Sequence, residues 1–178
     1  MERRMEIDPE RSQPRMFGGY IGSAELSWEW ATERLSRAHT YWIATTRTAQ
    51  PHSRPVWGVW LDTNFYFSTG SLAAQNLVSQ PAITVHLESG SKVVIIEGVA
   101  QQVSDAFLLG QVVNLYNQKY HWDLDPNQLP GPFYAVHPQI AFGWHFEESE
   151  VNPESTALGN ATRWRFLRPA AREGGLHR

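Results

Sequence analysis

The segment from Phe65 to Leu77 reads FYFSTGSLAAQNL: an aromatic run, a Ser-Thr-Gly-Ser turn and a helix-forming run. A helix entered at Ser71 leaves the N–H groups of residues 70–73 without internal partners and aims them outward, with the positive helix end behind them. The hydroxyls of Ser68, Thr69 and Ser71 can add donors, so these types at this spacing suit a phosphate or a carboxylate. They equally suit an ordinary strand-to-helix turn in which Ser71 caps its own helix. No Lys or Arg lies in the segment, so an anion held there needs its countercharge from elsewhere.

A second stretch, SRPVWGVWL, runs from Ser53 to Leu61. Strand alternation puts Arg54, Val56, Gly58 and Trp60 on one face and Ser53, Pro55, Trp57, Val59 and Leu61 on the other. Glycine inside a strand marks a bulge or a close approach to the backbone, and the proline beside Arg54 marks a sheet edge. Arg54 is therefore either a ligand-facing cation or a surface residue at a barrel corner.

Other chemistries find little support. There is no GxGxxG, P-loop or HExxH motif, and no cysteine for a disulfide, a thiolate metal site or a thiol nucleophile. His121, Asp123 and Asp125 alternate in HWDLD, which could grip a metal if extended, but a solvated polar loop is the expected reading and no metal is assigned. His86 and His145 fall in expected strands as hydrogen-bonded structural residues. Glu97 interrupts VVIIEG and needs a partner only if it faces inward. The eight tryptophans can line a pocket for a planar ligand or fill a core and a subunit interface.

The elements that position these residues follow from pattern. The 178 residues, 42% of them hydrophobic, suit one globular domain, and a formal charge of −3 gives no electrostatic case for nucleic acid or an anionic membrane. No apolar run approaches the ~20 residues that span a bilayer, and the polar N-terminus lacks a signal-peptide core, so a cytoplasmic protein is expected. Residues 1–22 read as a flexible arm with Arg3, Arg4, Arg11 and Arg15, and residues 23–178 as a single domain. SWEWATERLSRA places Trp28, Ala31, Leu35 and Ala38 at helical spacing behind Ser27 as N-cap. TYWIATT, SRPVWGVWL and FYFST follow as antiparallel strands, the last two joined tightly through DTN. A short helix ending at Pro81, the strands ITVHLE and KVVIIEGVAQQV, and a helix capped by Ser104 come next, with Phe107, Leu108, Val112, Leu115 and Tyr116 on its apolar face. A Pro-rich loop, the strands of YAVHPQIAFGWHF and the closing ATRWRFL complete a small antiparallel barrel.

Taken in order, YWIATTRTAQPHSRPVWGVWLDTNFYFSTG, then NL, P and VHLESGSKVVIIEGVA, resemble the pyridoxamine 5′-phosphate oxidase-like family of split β-barrel flavin and deazaflavin proteins. The likeness runs from about Thr40 to Val103, with echoes in NLYNQKYHW and ATRWRF. It implies a mainly β fold with peripheral helices, a six-stranded antiparallel split barrel of the FMN-binding type, and a homodimer with cofactor sites at its interface. FMN or the deazaflavin coenzyme would carry the hydride chemistry, with no catalytic side chain required. By position, Arg54, Pro55, Val56 and Trp57 would run beside the ring and its ribityl chain. Ser68, Thr69 and Ser71 would meet the phosphate, with Gln75 and Asn76 close behind, and Arg163 and Trp164 would reach the cofactor from the partner chain.

One departure concerns charge. Family members carry basic residues in the phosphate turn where this chain has Leu72, Ala73, Ala74 and Gln75. A charge-assisted hydrogen bond contributes about 1.5 to 3 kcal/mol, so losing two weakens phosphate binding by at least about tenfold unless Arg54, Lys119 or Arg163 substitutes. No pyridoxamine phosphate substrate motif is evident near the C-terminus, so vitamin B6 oxidation is not expected. The first functional expectation is a flavin- or deazaflavin-dependent oxidoreductase acting on a small organic substrate, with Trp57, Trp60 and Tyr66 shaping the acceptor pocket. The alternative is a non-catalytic protein that binds or sequesters haem or a hydrophobic metabolite on the same fold.

Overall fold

Strict alternation of buried and half-exposed side chains along Tyr41–Thr46 marks a strand with one face in a core. The computed structural model describes residues 8–14, 25–146 and 160–167, in which this strand is one of nine. They are β1 (Glu10–Ser12), β2 (Tyr41–Thr46), β3 (Pro51–Val56), β4 (Gly58–Leu61), β5 (Asn64–Ser68), β6 (Ala82–His86), β7 (Lys92–Gln102), β8 (Phe133–His145) and β9 (Thr162–Arg165). The helices are α1 (Trp28–Arg37), α2 (Leu72–Ser79) and α3 (Ala106–Tyr120). None is long and apolar enough to cross a membrane.

Every pairing is antiparallel. β3 pairs with β2, β2 with β6, β6 with β7, β7 with β8, β8 with β5 and β5 with β4. Since only Trp57 separates β3 from β4, residues 51–61 act as one bent strand that closes this circuit into a barrel. The stretch expected as a single strand is thus split at its corner: one half pairs with β2 and the other with β5. β3 is an edge along most of its length, consistent with Pro51 and Pro55 in it. Glu97 is exposed at a register shift between Glu97 and Gly98, so it needs no buried partner.

Two differences from the sequence reading concern the ends of elements. Glu10–Ser12, placed in a flexible arm, is a strand paired with β9, so this part of the N-terminal segment is tied to the sheet. α3 is capped by Asp105, whose Oδ1 accepts from the Leu108 N–H at 2.7 Å, rather than by Ser104. Phe107, expected on the packed face, is exposed: nine residues of helix place it about 180° from Tyr116, and the buried stripe is Val112, Val113, Tyr116 and Tyr120.

The barrel interior holds Ile43, Phe65, Phe67, Val85, Ile96, Val136 and Trp164, with Trp28, Ala31 and Leu35 of α1 closing one side. A second cluster lies under α3, where Val59, Tyr66, Phe133 and Ala135 meet that helix. The corner between β3 and β4 requires glycine because a Cβ at position 58 would sit 2.3 Å from the Phe65 ring and 2.8 Å from the Tyr66 carbonyl oxygen.

Gly58→Ala is expected to destabilise the protein by about 1 to 3 kcal/mol through overpacking, whereas Gly90→Ala, which meets no atom within 4 Å, should be near neutral in the same denaturant titration. Burial pushes Tyr41 and Tyr116 far above the usual phenol range, and Tyr66, Tyr120 and Tyr134 move the same way. Because these folded values exceed the unfolded 10.0, their stabilisation is complete below about pH 10 and lost as the pH rises past it. Tyrosinate absorbance and the loss of circular dichroism should therefore rise together in alkali; ionisation of these buried phenols well before unfolding would contradict the packing described.

Candidate functional site

The Ser-Thr-Gly-Ser turn joins β5 to α2 and spends most of its hydroxyl capacity on itself. Ser68 Oγ donates to the Pro132 carbonyl at 3.0 Å. Thr69 Oγ1 and Ser71 Oγ lie 2.7 Å apart, and they accept from the Ser71 N–H at 3.4 Å and the Ala73 N–H at 3.3 Å. Only one hydrogen of that hydroxyl pair is used between them, so one O–H is left over. The N–H groups of Gly70 and Leu72 find no partner among the described residues. The turn thus caps its own helix and leaves three neutral donors unused among the described residues.

Beside it lies a cavity of about 240 Å³ whose described lining includes Ser68, Thr69, Gly70 and the rings of Trp57, Tyr116, Trp122 and Phe133. No charged residue is among those lining residues. The rings brace one another: Trp57 and Trp122 meet edge to face at 4.7 Å, and Tyr116 meets Phe133 at 5.2 Å. Such pairs add about 0.5 to 1.5 kcal/mol beyond their area, which makes the wall rigid. Trp122 reaches it because His121 takes the left-handed conformation (φ 56°) and reverses the chain after α3. Asn117 then holds the returning loop, with Oδ1 accepting from the Leu124 N–H and Nδ2 donating to its carbonyl, at 2.9 and 3.0 Å.

Side chains from the end of α3 fasten the corner that presents Trp57. Tyr116 Oη donates to the Trp57 carbonyl. Lys119 Nζ donates to the Gly58 carbonyl at 2.9 Å and to Tyr41 Oη at 2.8 Å. The Gly58 N–H donates to Tyr120 Oη at 2.9 Å. That hydroxyl lies 2.7 Å from the Gly58 carbonyl and 2.8 Å from the His39 carbonyl, and its single hydrogen serves one of them at a time. Burial lowers the Lys119 ammonium from the usual 10.5 to about 8.

The expected site residues separate into groups. Trp57, Ser68 and Thr69 line the cavity, and Ser71 borders it through Thr69. Pro55 is exposed, Val56 packs on the barrel core, and half-buried Arg54 donates through Nε to His52 Nε2 at 3.1 Å. Gln75 is exposed on α2, while buried Asn76 is committed through Nδ2 to Thr45 Oγ1 at 3.0 Å. Arg163 and Trp164 lie on β9, which pairs with β8 at residues 140–143, away from the 133–136 stretch that pairs with β5. Arg163 donates to Ser12 Oγ through Nε and Nη2, both at 3.1 Å, and Trp164 is fully buried against Trp28. Trp60 and Tyr66 belong to the packing instead of this cavity. Asp125 accepts from the Asn127 N–H at 2.9 Å in its own turn, and His86 Nδ1 lies 2.9 Å from the Leu87 carbonyl oxygen.

Sequence reasoning missed Tyr116, Trp122 and Phe133. The available signal was helical spacing, which puts Tyr116 and Tyr120 on one face four residues apart, beside the HW that follows.

A family model described as pyridoxamine 5′-phosphate oxidase matches residues 28–158. No curated protein matches the sequence. Among solved structures, the chain is similar to a conserved hypothetical protein from Mycobacterium tuberculosis, with a TM-score of 0.61 and 20% identity over 74% of this chain and 92% of that one. A FAD-binding protein from Mesorhizobium loti has a TM-score of 0.55 and 15% identity over 78% and 94%. The heme storage protein of Vibrio cholerae has a TM-score of 0.52 and 20% identity over 63% and 87%. At such identities the likeness is one of fold.

Tyr116→Phe removes the donor to the Trp57 carbonyl without changing ring volume. A loss of about 1 kcal/mol in urea unfolding is expected, together with altered Trp57 fluorescence; an unchanged midpoint would show that the contact does not hold the corner.

Proposed function

The chain belongs to the pyridoxamine 5′-phosphate oxidase family, and from that premise we propose that it binds a flavin-type cofactor, FMN or deazaflavin, and acts as an oxidoreductase on a small organic molecule. The observation that carries this reading is the ring-walled cavity opening on the Ser68–Thr69–Gly70 turn. Its walls suit one planar ring, and its neutral donors suit polar ring edges or a tail. They serve a phosphate dianion poorly, because no described lining residue is charged. Such a cofactor, when bound, supplies the transfer of a hydride to or from the substrate.

The chain's own residues would bind, orient and exclude water. Trp57, Tyr116 and Trp122 would hold the ring by apolar contact and stacking. The Gly70 and Leu72 N–H groups, at the positive end of α2, would receive the tail. Arg54 lies near the corner but points its guanidinium hydrogen bonds at His52, so a role on the cofactor requires that contact to be exchanged. Trp57 and Leu72 are large apolar residues exposed at 48% and 45%, and a second copy covering Trp57 could complete the cavity. Arg163 and Trp164 would contribute, if at all, from that second copy.

The uncharged lining favours a second reading, in which a neutral or haem-like ligand is bound without redox turnover. Leu72→Arg separates the two because it restores a cation at the turn. With a flavin phosphate near α2, the variant should bind FMN about tenfold or more tighter in a fluorescence titration, while Trp57→Ala should weaken it by about tenfold. Absence of FMN and deazaflavin binding to both wild type and Leu72→Arg at micromolar concentration, with haem bound by wild type, would replace the first reading with the second.

A further inference from the structure

Four aromatic side chains, Trp57, Tyr116, Trp122 and Phe133, line the cavity of about 240 Å³ beside the β5–α2 turn. Trp57 and Trp122 stand at 77° to each other with centroids 4.7 Å apart, and Tyr116 and Phe133 at 85° and 5.2 Å. Tyr116 also meets Trp122 at 6.1 Å, so the four rings form one connected wall. Rings set near a right angle make corners instead of one flat shelf. A flat ligand stacks on one face, whereas a rounded group seated in a corner touches two. The volume lies below the roughly 300 to 1,000 Å³ of pockets for drug-sized ligands, so the occupant is a small molecule or one end of a larger one.

The charge pattern narrows the class. Aromatic faces attract cations through the ring quadrupole. A primary ammonium has three N–H donors that need acceptors when it leaves water, and no carboxylate lines this cavity. A quaternary ammonium has no N–H to satisfy and spreads its charge over its methyl groups, so ring faces suffice to hold it. Gly70 belongs to the same lining and has an N–H without a partner among the described residues. Gly131, across from it, keeps the space beside that nitrogen open: a Cβ there would stand 3.8 Å from the Gly70 nitrogen and 3.7 Å from Ser68 Oγ. An unpaired N–H next to open space suits a carboxylate.

We propose that this cavity binds small quaternary-ammonium carboxylates of the betaine class, with the trimethylammonium head against Trp57, Tyr116 and Trp122 and the carboxylate on the Gly70 N–H. The two ends of such a ligand match the two chemistries of the lining, ring faces without a charged neighbour and a donor without a partner. A flavin ring needs the same faces, so each ligand excludes the other and betaine regulates access of the cofactor. Betaine binding rests on the cavity alone; only that exclusion rests on the flavin reading.

Glycine betaine titrated into full-length wild type, followed by tryptophan fluorescence and calorimetry, tests this. The control is tert-butylacetate, which has the same shape and carboxylate but no positive charge. Betaine should bind saturably at millimolar concentration and at least about tenfold tighter than the control. Trp122→Leu keeps an apolar side chain but removes a ring face, and it should abolish most of that preference. Gly131→Ala sets its methyl at ordinary contact distance, so the fold tolerates it. It should weaken betaine at least about threefold and leave choline, which has the same head and no carboxylate, unchanged. Equal affinities for betaine and tert-butylacetate, or no saturable betaine binding, would overturn the proposal, and both are read on the unmutated protein. Added betaine should also raise the apparent Kd of riboflavin. Riboflavin and betaine bound together would overturn the placement in this cavity, whereas saturable betaine binding without any flavin binding would uphold the site and remove only the flavin reading.

Discussion

The bend at Trp57 and Gly58 is held by one end of one helix: Tyr116 donates to the Trp57 carbonyl, Lys119 donates to the Gly58 carbonyl, and Tyr120 accepts from the Gly58 N–H. Two strands part at this point, and the chain between them would otherwise leave buried polar groups unpaired, at about 1 to 3 kcal/mol each. Barrel closure, the docking of α3 and the presentation of Trp57 all rest on it. The glycine is as necessary as the hydrogen bonds, since a side chain there would collide with Phe65. The ring-walled cavity opens beside this corner.

Much of the fold was legible because alternation and helical spacing are local signals. Ser27 caps α1 as its spacing indicated, and Trp28, Ala31 and Leu35 are its buried stripe. Asp62 and Thr63 make the tight β4–β5 connection, with Asp62 in the left-handed conformation. The break at Trp57 was less legible, because local alternation continues through it: Val56 and Trp60 face the barrel while Val59 faces α3. Only pairing with two different partners reveals the corner. The cap of α3 is Asp105, the neighbour of the expected Ser104, and Phe107 lies opposite the buried Tyr116 on the helix, which places it at the surface.

The site was legible in part. The hydroxyl turn was found, but which donors remain free depends on contacts with Pro132 and between Thr69 and Ser71 that no spacing rule supplies. The rings of Tyr116, Trp122 and Phe133 arrive from sequence positions far from Trp57 and meet it only in the folded chain. The missing cations, in contrast, were plain in the sequence, and no described residue of the cavity lining replaces them. The M. loti and V. cholerae proteins on this fold carry FAD and heme in their names, so the lining chemistry has to decide the ligand. An aromatic, uncharged wall selects for a ring more than for its phosphate.

Titration of the wild-type protein with riboflavin and FMN in parallel tests this claim most directly, because the two ligands share the ring and differ by the phosphate. A site that recognises the ring through Trp57, Tyr116 and Trp122 should bind both, with affinities within about threefold, a difference near 0.7 kcal/mol. A preference for FMN of about a hundredfold or more would mean that a cation reaches the phosphate and would contradict the account. Failure of both to bind would contradict it as well.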